Sequence, residues 1–141
     1  MQLFEKRVRD SFGHQSFMAN IGATMTTVAR GIAEISFDFH ERLTQQNGFV
    51  HAGAITSIMD SACGYAAMSV AGADTDVLSV EFKVNLLAPA VGESFVARAQ
   101  VKRAGKTLSV CAADAFAIRN GEEKLIATML ATMINVVQEK S

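Results

Sequence analysis

The spacing of apolar side chains changes along the chain, and each change marks an element. Leu3, Phe4, Val8 and Phe12 recur at helical spacing among Glu5, Lys6, Arg7 and Arg9, which predicts a short amphipathic helix over about residues 2–11, lying on the body as a lid or brace. From about Thr24 to Phe39 the period falls to two. Ala33, Ile35, Phe37 and Phe39 alternate with Glu34, Ser36 and Asp38, and Gly31 makes a turn between two strands of a hairpin. The loop HERLTQQNGFVH carries a turn at Asn47-Gly48 and leads into an apolar helix over about residues 53–70. Beyond Gly72, Leu78, Val80, Phe82, Val84 and Leu86 alternate with Ser79, Glu81, Lys83 and Asn85, a firm strand pattern. Pro89 and Gly92 end it. Phe95, Ala97, Ala99 and Val101 alternate with Val96, Arg98, Gln100 and Lys102; Ala104-Gly105-Lys106 forms the next turn. Two further strands, about Leu108 to Arg119 and Leu125 to Val137, flank the polar hairpin Asn120-Gly121-Glu122-Glu123. Two early strands, one long helix and four strands joined by tight turns describe an α+β domain, with one antiparallel sheet covering a central helix.

That helix is apolar nearly all round, through Ile55, Ile58, Met59, Ala62, Cys63, Ala66, Ala67 and Met68, so it has to be enclosed by the sheet. Between His51 and Asp74 the one residue with a full charge at neutral pH is Asp60. Burying a charged carboxylate without partners costs several kcal/mol or forces it to take up a proton. Asp60 is therefore either tied down by hydrogen bonds as a structural fixture or set in a cleft where a poised acid does chemistry. At helical spacing Gly53, Ser57, Asp60, Ser61 and Gly64 share one face, whose small side chains leave room for a ligand. The stretch from Ala52 to Ala73 is long enough to raise the question of a membrane span. Asp60 at its centre, its serines and glycines, and the lack of aromatic or basic anchors at both ends argue for a buried helix and no membrane role.

Composition narrows the classes of function. The 141 residues fit a single domain, 1–141, with no repeat or low-complexity segment, and a 50% hydrophobic content excludes disorder. Thirteen Lys and Arg against fourteen Asp and Glu give no basic field of the kind nucleic-acid binding needs. Cys63 and Cys111 both lie in apolar surroundings and read as reduced, buried thiols. The N-terminal MQLFEKRVRD has charges throughout and no apolar core, unlike a secretory signal, so a cytoplasmic protein is expected.

The run Gln45-Gln46-Asn47-Gly48-Phe49-Val50-His51-Ala52-Gly53, then Asp60, Leu78-Ser79-Val80-Glu81-Phe82, and Leu87-Ala88-Pro89-Ala90 with Gly92-Glu93 resembles the hotdog-fold acyl-CoA thioesterases of the phenylacetate-degradation (PaaI-like) type. The resemblance covers roughly residues 14–137. Its most specific part is a His-Gly-Gly motif followed at fixed distance by an Asp on the long helix, matched by His51-Ala52-Gly53 and Asp60. It implies a curved antiparallel sheet around the helix, and Asp60 as nucleophile or general base. It also implies a backbone N–H at Ala52 that polarises the thioester carbonyl, an assisting amide at Gln45, and Ser79 orienting the acid or water. Two positions depart from the family pattern: Ala52 stands for a glycine, adding a Cβ where the thioester approaches and a cost if φ is positive, and Gln45 stands for an asparagine. The resemblance further implies a homodimer or homotetramer whose active sites join Asp60 of one subunit with Gln45 and Ala52 of another.

The parts fit thioester chemistry. Hydrolysis passes through a tetrahedral oxyanion, for which an N–H at a helix N-terminus is a ready donor. Asp60, two turns on, is placed to attack the opposite face of the carbonyl or to take a proton from water, and neither metal nor other cofactor is needed. His51 reads as a helix-start residue bonded to backbone as readily as a base, and Gly53 as room for substrate. Lys102, Arg103 and Lys106 cluster at a hairpin, either as a solvated turn or as a contact for the phosphates of coenzyme A. The methionines read as core filler. Nine Phe, one Tyr and no Trp favour an apolar acyl group, medium-chain, long-chain or aromatic. A non-catalytic acyl-CoA-binding or regulatory module is the rival reading, which the presence of Asp60 disfavours. Dehydratases of this fold carry a proline-rich segment around a catalytic histidine, whereas Pro89 is the one proline here.

Overall fold

A nineteen-residue helix with a single charge has to be covered over most of its circumference, and here one sheet does it. The computed structural model describes residues 1–138. It contains α1 (Leu3–Gly13), α2 (Ser16–Asn20), β1 (Thr24–Ala29), β2 (Ile32–Asp38), a 3-10 turn (Glu41–Leu43), α3 (Ala52–Val70), β3 (Thr75–Leu86), β4 (Ser94–Ala104), β5 (Leu108–Arg119) and β6 (Glu122–Val137). The strands form one antiparallel sheet in the order β1-β2-β4-β5-β6-β3. Its concave face packs on α3, the hotdog architecture that the resemblance implies. Ala97, Ala115 and Ala127 stand side by side across β4, β5 and β6, all buried, with Ala99 and Ala113 beside them. Methyl groups let the sheet approach the helix closely; Ile35, Phe37, Phe95, Met129 and Met133 fill the wider space around that row.

The expected elements are present, with boundaries that physical detail moves. The short α2 has too few residues to show a period. At Asn120 and Gly121, φ is +53° and +77°, so two residues complete the β5–β6 turn, and Glu122 and Glu123 belong to β6. β4 runs through Ala104 past a register shift between Val101 and Arg103, which places Lys102 and Arg103 on a strand end and not in the turn. The largest correction concerns β3. A bulge between Ser79 and Glu81 leaves Val80 without a register partner, so Leu78, opposite Ile134, and Phe82, opposite Ala131, fall on different faces despite their regular alternation.

The N-terminal segment is a brace. Val8 and Met18 are fully buried, and the Arg7 guanidinium donates to the carbonyls of Met68, Ala71 and Gly72 at 2.6, 3.1 and 2.7 Å. They lie at and just beyond the C-terminal end of α3, where a cation is favoured; the Met68 and Gly72 carbonyls also accept the N–H groups of Ala71 and Thr75. Arg7→Ala is expected to lower stability by about 1–2 kcal/mol. Urea denaturation measures this against Lys6→Ala, whose ion pair with Asp10 is wholly exposed and whose curve should stay in place.

Candidate active site

Asp60 lies on the one strip of α3 that the sheet leaves open, with Gly53, Ser57, Ser61 and Gly64. Ser79 is polar yet faces the helix, because it precedes the β3 bulge and pairs with the buried Met133. Its hydroxyl donates to Asp60 Oδ1 at 2.6 Å and sits 3.4 Å from the Met133 sulfur. The bond fixes one carboxylate oxygen and leaves the other able to attack a carbon or accept a proton. Both residues line a cleft of about 390 Å³ walled also by Ser11, Gln15, Ser61 and Tyr65.

The start of α3 forms a second cleft. A bridge between Thr44 and Val50 closes a small hairpin, within which Gln45 Oε1 accepts the Asn47 N–H; among the described residues its amide nitrogen has no acceptor and is free to donate. The chain then enters the helix at His51, whose N–H bonds the Leu43 carbonyl at 2.8 Å. His51 is the N-cap: its Nδ1 accepts the Gly53 N–H at 2.7 Å, so that nitrogen carries no proton and is no free base. A Cβ at Gly53 would lie 2.9 Å from Nδ1, so glycine there makes room for the capping ring, and Gly53 lines neither cleft. Ala52 is the first helical residue; among the described residues its N–H has no acceptor, and its φ is not positive, so the extra Cβ brings no backbone strain. Gln45, Phe49, His51, Ala52, Leu87 and Pro89 surround this cleft, of about 590 Å³.

The two clefts share no lining residue. Asp60 lies eight residues past Ala52, about 12 Å of rise, so it does not reach a carbonyl held at Ala52 of its own chain. Lys102, Arg103 and Lys106 line neither cleft. Asn135 donates to the carbonyls of Gly105 and Lys106 and so pins their hairpin to β6. Cys63 and Cys111 are fully buried and unpaired. Burial pushes both thiols up, Cys111 to about 11, and the neighbouring Cys111 and Asp60 add to the rise at Cys63, which makes poor nucleophiles of them. Among the described residues no three His, Cys, Asp or Glu side chains gather as a metal site requires, and no helix is long and apolar enough to cross a membrane. The wall residues Ser11, Gln15 and Tyr65 went unnoticed in the sequence; the signal was the lone Tyr, five residues after Asp60.

The thioesterase superfamily model matches residues 47–124, over half of the chain, from the Asn47-Gly48 turn through Asp60 and Ser79 to the start of β6. The chain belongs to this superfamily. A thioesterase family protein from Silicibacter pomeroyi is 48% identical, with a TM-score of 0.94 over 96% of this chain and 99% of that one. A candidate esterase of Saccharolobus solfataricus is 30% identical over 114 residues, 81% of this chain and 73% of its own length. The E. coli PaaI protein of the phenylacetic acid degradation operon shares the fold, with a TM-score of 0.84 over 94% of this chain and 93% of that one, at 16% identity. For a superfamily member the chemistry is thioester hydrolysis. Ser79→Ala, which frees the Asp60 carboxylate from its one side-chain donor, is then expected to lower kcat about tenfold while the thermal transition holds, and Ser79→Thr to keep most of the rate. Thiol release from a thioester substrate measures both.

Proposed function

We propose that the protein hydrolyses acyl-CoA thioesters to the free acid and coenzyme A, at sites built from two copies of the chain. The observation that carries the reading is the position of the two clefts at opposite ends of one free strand edge. β3 is hydrogen-bonded on one side only, to β6, and Leu78, Val80, Phe82 and Leu86 along it are exposed. An apolar edge of this length calls for a partner. Leu86 and Leu87 line the Ala52 cleft, and Leu78 and Ser79 line the Asp60 cleft. Antiparallel pairing of β3 with β3 of a second copy about a two-fold axis brings the Ala52 end of one chain to the Asp60 end of the other. In such a homodimer, or a tetramer of two, each carbonyl oxygen rests on the Ala52 N–H, assisted by the Gln45 amide, with His51 holding the helix start. Asp60 of the other copy supplies an electron pair to the proton of a water or to the carbonyl carbon. In the first case the water oxygen adds to the carbonyl carbon, the tetrahedral intermediate collapses with loss of the coenzyme A thiolate, and the proton held by Asp60 passes to that thiolate. In the second, collapse leaves a mixed anhydride on Asp60, which a water cleaves to the free acid, giving back the carboxylate and a proton for the thiolate. Two unpaired, buried cysteines suit a reducing compartment, and a cytoplasmic location follows from that reading.

Proline is tolerated at the first position of a helix, and the extended ψ of 136° at His51 suits a following proline. Ala52→Pro therefore deletes the oxyanion donor without breaking α3, and should lower kcat on the order of a hundredfold. Asp60→Asn should do at least as much while the variant still binds coenzyme A; a wild-type rate in Asp60→Asn would overturn the role given to Asp60, and binding without turnover by the wild-type protein would favour the non-catalytic module. Refolding the two dead variants together should restore about a quarter of wild-type activity, since half the dimers are hybrids and each hybrid has one intact site. A mixture as inactive as its parts would overturn the two-copy site.

Lys102, Arg103 and Lys106 are proposed as contacts for the phosphates of coenzyme A. Such exposed attraction is equal in ground and transition states and is screened by salt. Arg103→Ala with Lys106→Ala should raise KM for acyl-CoA several-fold with kcat little changed, less so at high salt, and leave a short thioester without the nucleotide unaffected. Loss of kcat at constant KM would place the phosphates elsewhere.

A further inference from the structure

The cleft that holds Asp60 has a wall of neutral polar side chains that the proposed hydrolysis does not use. Gln15, in the link between α1 and α2, bonds through its Oε1 to the Ser61 hydroxyl at 3.2 Å and donates from Nε2 to the Tyr65 hydroxyl at 3.0 Å. The Tyr65 hydroxyl lies 3.2 Å from that of Ser11, and its ring packs edge-on against Phe12. Two successive turns of α3 thus hold one amide, with α1 bonded to the same Tyr65 hydroxyl, and the brace that carries Gln15 is held by the buried Val8 and Met18 and by the Arg7 contacts. Whichever way round the amide sits, each of its ends has one partner in this network, so one N–H and one lone pair remain for something else.

We infer that Gln15, fixed by Ser61 and Tyr65, determines acyl specificity by hydrogen-bonding a neutral oxygen at the far end of the acyl group. The inference rests on the proposed hydrolysis at Asp60 and departs from the purely apolar acyl group expected from composition. A hydrocarbon tail pressed against Gln15 would strip water from its free N–H and give nothing back, the kind of mismatch by which a hydrogen-bonding site rejects an apolar analogue. A carboxylate tail is disfavoured as well, because Asp60 and Asp76 both line the cleft and, among the described residues, no Lys, Arg or His does. Length follows from the helix: Tyr65 lies five residues past Asp60, about 7.5 Å of rise, which a chain of about six bonds from the thioester carbon spans.

The test compares 6-hydroxyhexanoyl-CoA with heptanoyl-CoA, substrates matched in number of chain atoms, by kcat/KM from thiol release. The wild-type protein should favour the hydroxylated substrate about tenfold or more. Gln15→Leu should erase that preference by slowing the hydroxylated substrate and sparing heptanoyl-CoA, a split that general damage to the site would not give. Tyr65→Phe keeps the ring against Phe12 and removes only the hydroxyl that orients Gln15; it should reduce the preference in the same direction and answers the question should Gln15→Leu fail to fold. Equal rates on the two substrates, or a preference that survives both substitutions, would overturn the inference and leave acyl-CoA hydrolysis standing. No turnover of either substrate would overturn both.

Discussion

The need to enclose an almost uncharged helix shapes the rest of this molecule. α3 offers apolar or small side chains in nearly every direction, and a flat sheet would cover one face of it only. The sheet can bend round it because the buried row Ala97, Ala115 and Ala127 projects no further than a methyl group, while Phe37, Phe95 and the methionines fill the flanks. Any larger side chain in the alanine row would push the sheet off the helix. Enclosure ends along the strip of Gly53, Ser57, Asp60, Ser61 and Gly64, and there the carboxylate meets Ser79 and solvent. Site and core are two sides of one helix.

A single extra residue in β3 ties that site to the surface beyond it. Because Val80 drops out of register, Ser79 turns inward to Asp60 while Leu78 and Val80 stay outside. Without the bulge, one strand could not place a polar hydroxyl against the helix and still keep Phe82 and Val84 on the concave face further along. The same strand has a free edge, so the group bonded to the acid and the edge proposed to meet another copy are a few residues apart.

Much of this was legible in the sequence, for reasons that also explain what was not. Period two, turn residues at Gly31 and Asn120-Gly121, and an apolar run with one acid report local backbone preference and burial, and they located every strand and the helix. The bulge was invisible because Leu78 through Leu86 alternate without a break, apolar on both sides of Val80 although the bulge changes the face they take. The separation of Ala52 from Asp60 within one chain was implied by the resemblance alone and by no pattern of residues. Ala52 and Asp60 are near in sequence, and only the rise of the helix sets them apart. His51 illustrates a third limit: a ring that caps a helix and a ring that acts as a base look alike until the Gly53 N–H is seen pointing at Nδ1. Gln15 left no pattern at all, since its contacts with Ser61 and Tyr65 join residues 46 and 50 positions away.

The oxyanion donor assigned to Ala52 belongs to the main chain. Selection acting on side chains has little hold on it: nineteen of the twenty amino acids would present the same N–H at the start of α3, differing only in what they add to the cleft wall. The alanine here in place of a glycine is thus a change of shape and not of chemistry. A survey of this protein by alanine scanning would pass over position 52 without altering it, and would record no trace of one of the groups on which the proposed reaction depends.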